Sequence, residues 1–367
     1  MDRFIFSADG HIREPNDLFT GGLPASLQKY SIRAERRDEH LYTMAGEKVI
    51  HRLRLSAPSA DFSRKSRLGA SDLTGRRADM RDEGIDAEIV FPSLGMFTFL
   101  IEDPEAELAT TQIYNDWHNR FLGAQTDMFV RCAVLPVRRL GNTVSELKRV
   151  AAMGFTAAML PNFIPAGIPA YNHEDWDPVF AVGASLGVAF VLHTGTGLED
   201  VKAEKGPGGA VINYTVQMCD GQRAIMALVA GGVLDRNPKA QVAVIESGAS
   251  WLAALAERMD EVYEAHNVFV RPKLSLMPRE IIQRQVKASF QFDRACIMSR
   301  SVTGHQALMW GSDYPHAEGT FPRSNEVVAR LFDGIEISER EQADIIGGNA
   351  ARLFRFQHPK LTERLEV

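Results

Sequence analysis

Cysteine is scarce in this chain: three residues in 367, Cys132, Cys219 and Cys296, far apart and without a Cys-x-x-Cys pair. An odd, scattered set excludes a disulfide framework and a cysteine-built zinc knuckle. Cys132 lies in the apolar stretch Cys132-Ala-Val-Leu-Pro136, so its thiol is expected to be packed rather than reactive. Long apolar runs are also missing. None approaches the roughly 20 residues that span a bilayer, and Asp9 interrupts the amino-terminal segment before a signal-type apolar region forms. The expectation is a cytoplasmic protein with no membrane association. Nor is charge of one sign concentrated: the formal net charge is -6, and basic clusters such as Arg138-Arg139 stop at dipeptides. That leaves no stripe for a phosphate backbone and excludes nucleic acid as a partner. With no low-complexity tract and no repeat at a period of about 20 to 50 residues, residues 1–367 read as one domain.

What is present is a set of short hydrophobic runs that stop on residues able to bind a metal. They cover residues 4–9 with His11 just beyond, 188–193 ending on His193, 241–246 ending on Glu246, 288–292 running into Asp293, and 307–310 entering the loop that holds Asp313 and His316. A parallel (β/α)8 barrel gathers the carboxyl ends of its strands on one face, where residues distant in sequence meet around one ion. The expected fold is therefore an α/β TIM barrel. Its usual length of about 250 residues leaves room for a small insertion after the first strand. The polar stretch 41–71, with Arg52, Arg54, Arg64, Lys65 and Arg67 and no helical stripe, fits a hairpin or loop there.

The rest of the chain alternates as a barrel requires. A charged helix over 76–83 stops at Gly84 before a β-rich run, 86–92, closed by Pro92. Asp103-Pro104-Glu105 opens a long helix with a cap acceptor, a first-turn proline and acidic residues at the positive end of the dipole. Strands follow at 131–137 and 157–160, with a helix over 144–153 between them. A loop with three prolines, 161–172, and a helix over 176–186 lead to the strand at 188–193. The glycine-rich tract 195–209 is expected to form a mobile loop above the site. Helices over 219–231, 250–266 and 337–353 complete the pattern, with a further helix around 278–287.

Asp9 and His11, two residues apart at a strand end, can turn toward one ion. His193 leaves a buried strand into glycines, where a neutral imidazole suits zinc, iron or manganese. Asp313 can ligate the metal and act as a general base. Glu246 aims a carboxylate at the same face, where a nearby cation offsets its burial. His316 is positioned to contact substrate or to cap the following helix. Glu14, ahead of Pro15, is expected to be solvated, and His173 to cap a helix. His40, His51, His118, His266, His305 and His358 are expected at the surface.

Together these segments resemble the amidohydrolase-related family that includes the aminocarboxymuconate semialdehyde decarboxylase type. The resemblance runs through Ser7-Ala-Asp-Gly-His-Ile-Arg-Glu-Pro15, Tyr114-Asn-Asp-Trp117, Trp176-Asp-Pro-Val-Phe180, His193-Thr-Gly195, Trp251-Leu252 with Glu257-Arg-Met-Asp260, Gly311-Ser-Asp-Tyr-Pro-His316 and Gly348-Asn-Ala-Ala-Arg-Leu-Phe354. It implies a divalent metal held by Asp9, His11, His193 and Asp313. Zinc is the first expectation, iron or manganese the alternatives, with one ion, or two if Glu246 bridges. It also implies a small-molecule substrate and a possible homodimer.

Two departures bear on the reaction. Family decarboxylases usually carry a histidine after strand six, where this chain has Glu246-Ser247, and Asp9 stands where many members have histidine or glutamate. The expectation is accordingly hydrolysis by a metal-activated water at an acyl-type bond (amide, ester, thioester or activated C–C). Asp313 takes the proton and Glu246 or His316 assists the leaving group. Non-oxidative decarboxylation of an aromatic or unsaturated acid is the alternative, and a non-catalytic ligand-binding barrel the third reading. Phe97, Phe99 and Phe163 are the expected pocket lining.

Overall fold

The computed structural model describes residues 3–54, 68–123, 125–197 and 205–362. Strands β1 (Phe6–Ser7) and β2 (His11–Ile12) are two short pieces of one stave, and both pair in parallel with β6 (Ala87–Pro92). From β6 the sheet proceeds in chain order through β7 (Phe129–Val134), β8 (Ala157–Leu160), β9 (Ala189–His193), β10 (Val242–Ile245), β11 (Val286–Phe290) and β12 (Leu308–Trp310), parallel throughout. The last stave returns to the first: Ala8 N–H donates to the Trp310 carbonyl at 2.9 Å, and Gly10 bridges Tyr314. Eight parallel staves thus form a nearly closed barrel, as the sequence led us to expect.

Strands covered on both faces carry apolar residues at successive positions rather than in alternation. Here the two faces serve two cores. Phe6, Ala8, Ala87, Ile89, Val191, Ala243, Ile245 and Met309 fill the bore, while Val90, Ala158, Leu160, Phe190, Val244 and Phe290 pack outward against the helices. Alanines recur inside because an eight-stranded bore is only wide enough for side chains to fill it. Cys132 belongs to this inner core and is fully buried, the packed thiol expected.

Several boundaries differ from the sequence reading. The insertion is a three-stranded antiparallel meander, β3 (Ile32–Arg37), β4 (His40–Ala45) and β5 (Lys48–Arg54), which begins well before position 41. Residues 55–67, with Arg64, Lys65 and Arg67, lie outside the described residues. β11 starts two residues before the expected 288, directly after the helix Pro278–Gln285. No glycine or proline marks that junction. The helix expected from 144 begins at Leu140, where Arg139 offers no side-chain cap to signal the start. Part of the glycine-rich tract, 198–204, is outside the described residues, and a helix, Gly209–Val216, starts at its end.

Candidate metal centre

The ligand candidates converge at the carboxyl ends of the staves. Asp9 Oδ1 is 3.4 Å from His193 Nε2 and 3.5 Å from His11 Nε2, and His11 Nε2 is 3.7 Å from Asp313 Oδ1. Glu246 Oε2 stands 3.7 Å from His193 Nδ1, and His316 Nδ1 is 2.7 Å from Asp313 Oδ1. Donor atoms of Asp9, His11 and His193 lie within 4.8 Å of one another, as do those of His11, Glu246, Asp313 and His316. All six residues singled out from the sequence therefore share one site, with His11 common to both groups.

Backbone contacts orient the ligands. The His11 ring presents Nδ1 to the Pro92 carbonyl at 2.9 Å, and the His193 ring presents Nδ1 to the Thr194 carbonyl at 2.8 Å. A donor hydrogen on each Nδ1 leaves each Nε2 lone pair facing the site, the arrangement that fixes a metal-binding tautomer. Asp313 N–H donates to the Asp9 carbonyl at 3.0 Å, and Ser7 Oγ donates to that same carbonyl at 2.6 Å, tying the first and last staves at the ligands. Gly311 is required here because a Cβ on it would come within 2.6 Å of the Asp9 Cβ. Glu246 and Asp313 both adopt left-handed backbone conformations, φ 61° and 55°, which non-glycine residues seldom hold without compensation.

The donor set fits a cation. Asp9 Oδ2 and His11 Nε2 are buried and, among the described residues, lack a hydrogen-bond partner, which costs about 1–3 kcal/mol apiece in the absence of compensation. Two atoms each about 2.0–2.2 Å from one ion sit about 3–3.5 Å apart in a tetrahedral shell, close to the separations above. Burial, then the nearby His316 and His193, holds the His11 pKa well below its usual value, so the ring is neutral and able to donate its lone pair. Burial, then the Asp313 and Asp9 charges, pushes the Glu246 carboxyl well above the usual carboxylate range.

Not every expectation survives. Asp293 is not with the ligands: its carboxylate caps the helix Arg294–Met298 and accepts from Ala249 N–H and Ser250 N–H at 2.9 and 2.8 Å, anchoring the loop after β10. Glu14 is buried rather than solvated, accepting from the N–H groups of Ser93, Leu94 and Gly95 at 3.1, 3.0 and 2.8 Å. It thereby fixes the turn after Pro92, whose carbonyl orients His11. His118 is fully buried, with Nδ1 3.2 Å from the Cys132 carbonyl, and burial lowers its pKa to about 3. His173 caps its short helix as expected. Phe99 is a core residue, whereas Phe97 and Phe163 are half-buried.

Next to the site lies an ionic strut that was not expected from the sequence. Arg76, on the helix Leu73–Asp82, and Glu88, in β6, are both buried and paired through two contacts, one of them Nη2 to Oε2 at 2.9 Å. Arg76 Nη1 also donates to the His11 carbonyl at 2.6 Å. A signal was available: Glu88 is a charge inside an apolar strand. Asn162 was missed as well; its Nδ2 donates to the His193 carbonyl at 2.8 Å.

A barrel of this topology with carboxylates and imidazoles converging at its mouth is the architecture of a metal-dependent barrel enzyme. Residues 52–356 match the family model described as amidohydrolase, and the chain belongs to that family. A curated relative, 2-amino-3-carboxymuconate-6-semialdehyde decarboxylase of Dictyostelium discoideum, is 23% identical over 283 residues, 75% of this chain and 74% of the relative. The fold is shared with an amidohydrolase from Mycobacterium avium subsp. paratuberculosis K-10 (TM-score 0.77, 18% identity, 96% of this chain and 100% of that one). It is also shared with a dihydroxybenzoic acid decarboxylase from Polaromonas sp. JS666, solved with bound manganese and the inhibitor 2-nitroresorcinol (TM-score 0.66, 17% identity, 98% of each chain). Among the described residues, no helix is long and apolar enough to cross a membrane.

Proposed function

We propose that this protein is a metal-dependent, non-oxidative decarboxylase of a small aromatic or unsaturated carboxylic acid, which reverses the order of the two readings drawn from the sequence. The observation that carries the proposal is the position of Glu246, a carboxyl group at the mouth beside the ligand cluster and less buried than Asp9, His11, His193 and Asp313. The relative from Dictyostelium and the solved dihydroxybenzoic acid decarboxylase support it.

Decarboxylation breaks the bond between a carbon and its carboxylate; the electron pair stays on the carbon, carbon dioxide leaves, and the carbon takes one proton. Asp9, His11, His193 and Asp313 would hold the divalent ion, which would supply positive charge against the anionic substrate and the charge that develops on it. Glu246, whose burial favours the protonated carboxyl, delivers the proton to the vacated carbon. His316, the most exposed ring of the cluster and in contact with Asp313, exchanges protons with solvent. Two carboxylates and two imidazoles suit zinc, iron or manganese alike, and manganese is the ion in the solved dihydroxybenzoic acid decarboxylase.

The test is turnover of a panel of hydroxylated aromatic and unsaturated acids in deuterium oxide. Carbon dioxide release with one solvent deuteron on the vacated carbon is expected. Hydrolysis is the second reading, in which Glu246 is ionised and acts as a base toward water instead of as the acid. It yields products that together contain the elements of one water and no carbon dioxide, a result that overturns the proposal.

A further inference from the structure

The opposite end of the barrel holds a second feature, unrelated to the metal centre. A cavity of about 340 Å³ opens at the amino-terminal ends of β9 to β12, bordered by Ala189, Gln241, Lys287 and Asn349. Four cationic side chains converge on it: Lys239, Lys287, Arg352 and Arg355. Lys287 is the unusual one. Its Cα partner in β10 is Ala243, a bore residue, so Lys287 shares the inner face of the barrel. It is half-buried, and among the described residues it makes no salt bridge.

Burying an ammonium group without a counter-charge is expensive, and the neighbouring guanidinium adds to the cost. Burial, then Arg352, lowers the Lys287 pKa to about 8. Among the described residues one carboxylate touches this group of cations, Asp344, which pairs with Arg352 at 2.8 Å and also contacts His305 at 3.1 Å. Arg355 is held over the cavity by a left-handed backbone, φ 57°, and Gly187 leaves the space its guanidinium occupies. The volume lies near the lower end of the about 300–1,000 Å³ range of small-molecule sites.

We propose that this cavity binds a small multivalent oxyanion, a phosphate or a polycarboxylate, on Lys287, Arg355, Arg352 and Lys239. The chemistry is charge-assisted hydrogen bonding from ammonium and guanidinium donors to oxyanion oxygens, and the anion supplies the counter-charge that Lys287 lacks. The site is separate from the reaction and does not depend on which reaction the metal centre performs.

Isothermal titration of the full-length, metal-loaded protein with inorganic phosphate and with citrate, each against sodium chloride at equal ionic strength, tests this. Saturable binding of at least one oxyanion is expected, weakened about tenfold or more by Lys287→Met and by Arg355→Gln, since a charged hydrogen bond is lost. Binding of phosphate alone or citrate alone assigns the ligand class. His11→Ala, which alters the metal centre, should leave that binding in place. Absence of saturable binding, affinity unchanged in both cation variants, or binding lost in His11→Ala but kept in Lys287→Met would overturn the assignment. Circular dichroism of each variant separates loss of a site from loss of the fold.

Discussion

Replacing Glu246 with glutamine is expected to lower kcat by about 10²- to 10⁴-fold, the usual contribution of a positioned proton donor, while metal content and melting temperature stay close to wild type. Glutamine keeps the shape and a hydrogen-bonding end but has no transferable carboxyl proton. The fold should tolerate the change, because the backbone at this position is held from outside: Glu246 N–H donates to Ser289 Oγ at 2.9 Å. The pH profile gives a second readout. A carboxyl whose pKa is raised by burial keeps its proton well above the ordinary carboxylate range. Activity that needs that proton is present at low and intermediate pH and is lost as pH rises through the raised value; the glutamine variant lacks this limb. Full activity in Glu246→Gln would remove the residue from the mechanism and leave Asp313 with His316 as the proton source.

Arg76→Met should destabilise the protein by about 3–5 kcal/mol, the range for removing one partner of a buried ion pair, read as a fall in the denaturation midpoint. The cost comes mainly from the partner left behind: Glu88, buried in β6, would lose both of its contacts to Arg76. The double variant Arg76→Met/Glu88→Gln should recover part of the loss, because no isolated charge remains. The His11 carbonyl also loses a donor in Arg76→Met, so metal affinity should fall without any direct ligand being altered. Unchanged stability in the single variant would contradict the structural role given to the pair.

The metal site was more legible in the sequence than the apparatus supporting it. Asp9, His193, Glu246 and Asp313 each follow a short apolar run, and a parallel barrel turns such runs into one ring of side chains, so position along a strand implied position in space. Arg76 carried no comparable sign. The buried side of the helix Leu73–Asp82 is made of Arg76, Asp79 and Met80, so an apolar stripe is missing where one would be sought. Glu14 looked solvated because a carboxylate before proline usually is; its partners are backbone N–H groups about 80 residues away in sequence, which side-chain patterns do not report. His118 looked like a surface histidine on a polar helix, yet Tyr114, one turn earlier, shares its buried face. The meander began early because β3, Ile-Arg-Ala-Glu-Arg-Arg, is mostly half-exposed and charged and lacks a clear β signature. The choice between hydrolysis and decarboxylation depended on Glu246 standing where a histidine was expected, and a carboxyl at that position can act as acid or base according to its protonation.

The central claim is a divalent-metal centre built by Asp9, His11, His193 and Asp313. Calorimetric titration of chelator-dialysed protein with manganese, beside His11→Ala and His193→Ala, tests it most directly. The account predicts one tight site per chain in the wild type, carrying activity with it, and loss of that site in both variants with the barrel still folded. Absence of a tight site in the wild type, or equal affinity in the histidine variants, would contradict it.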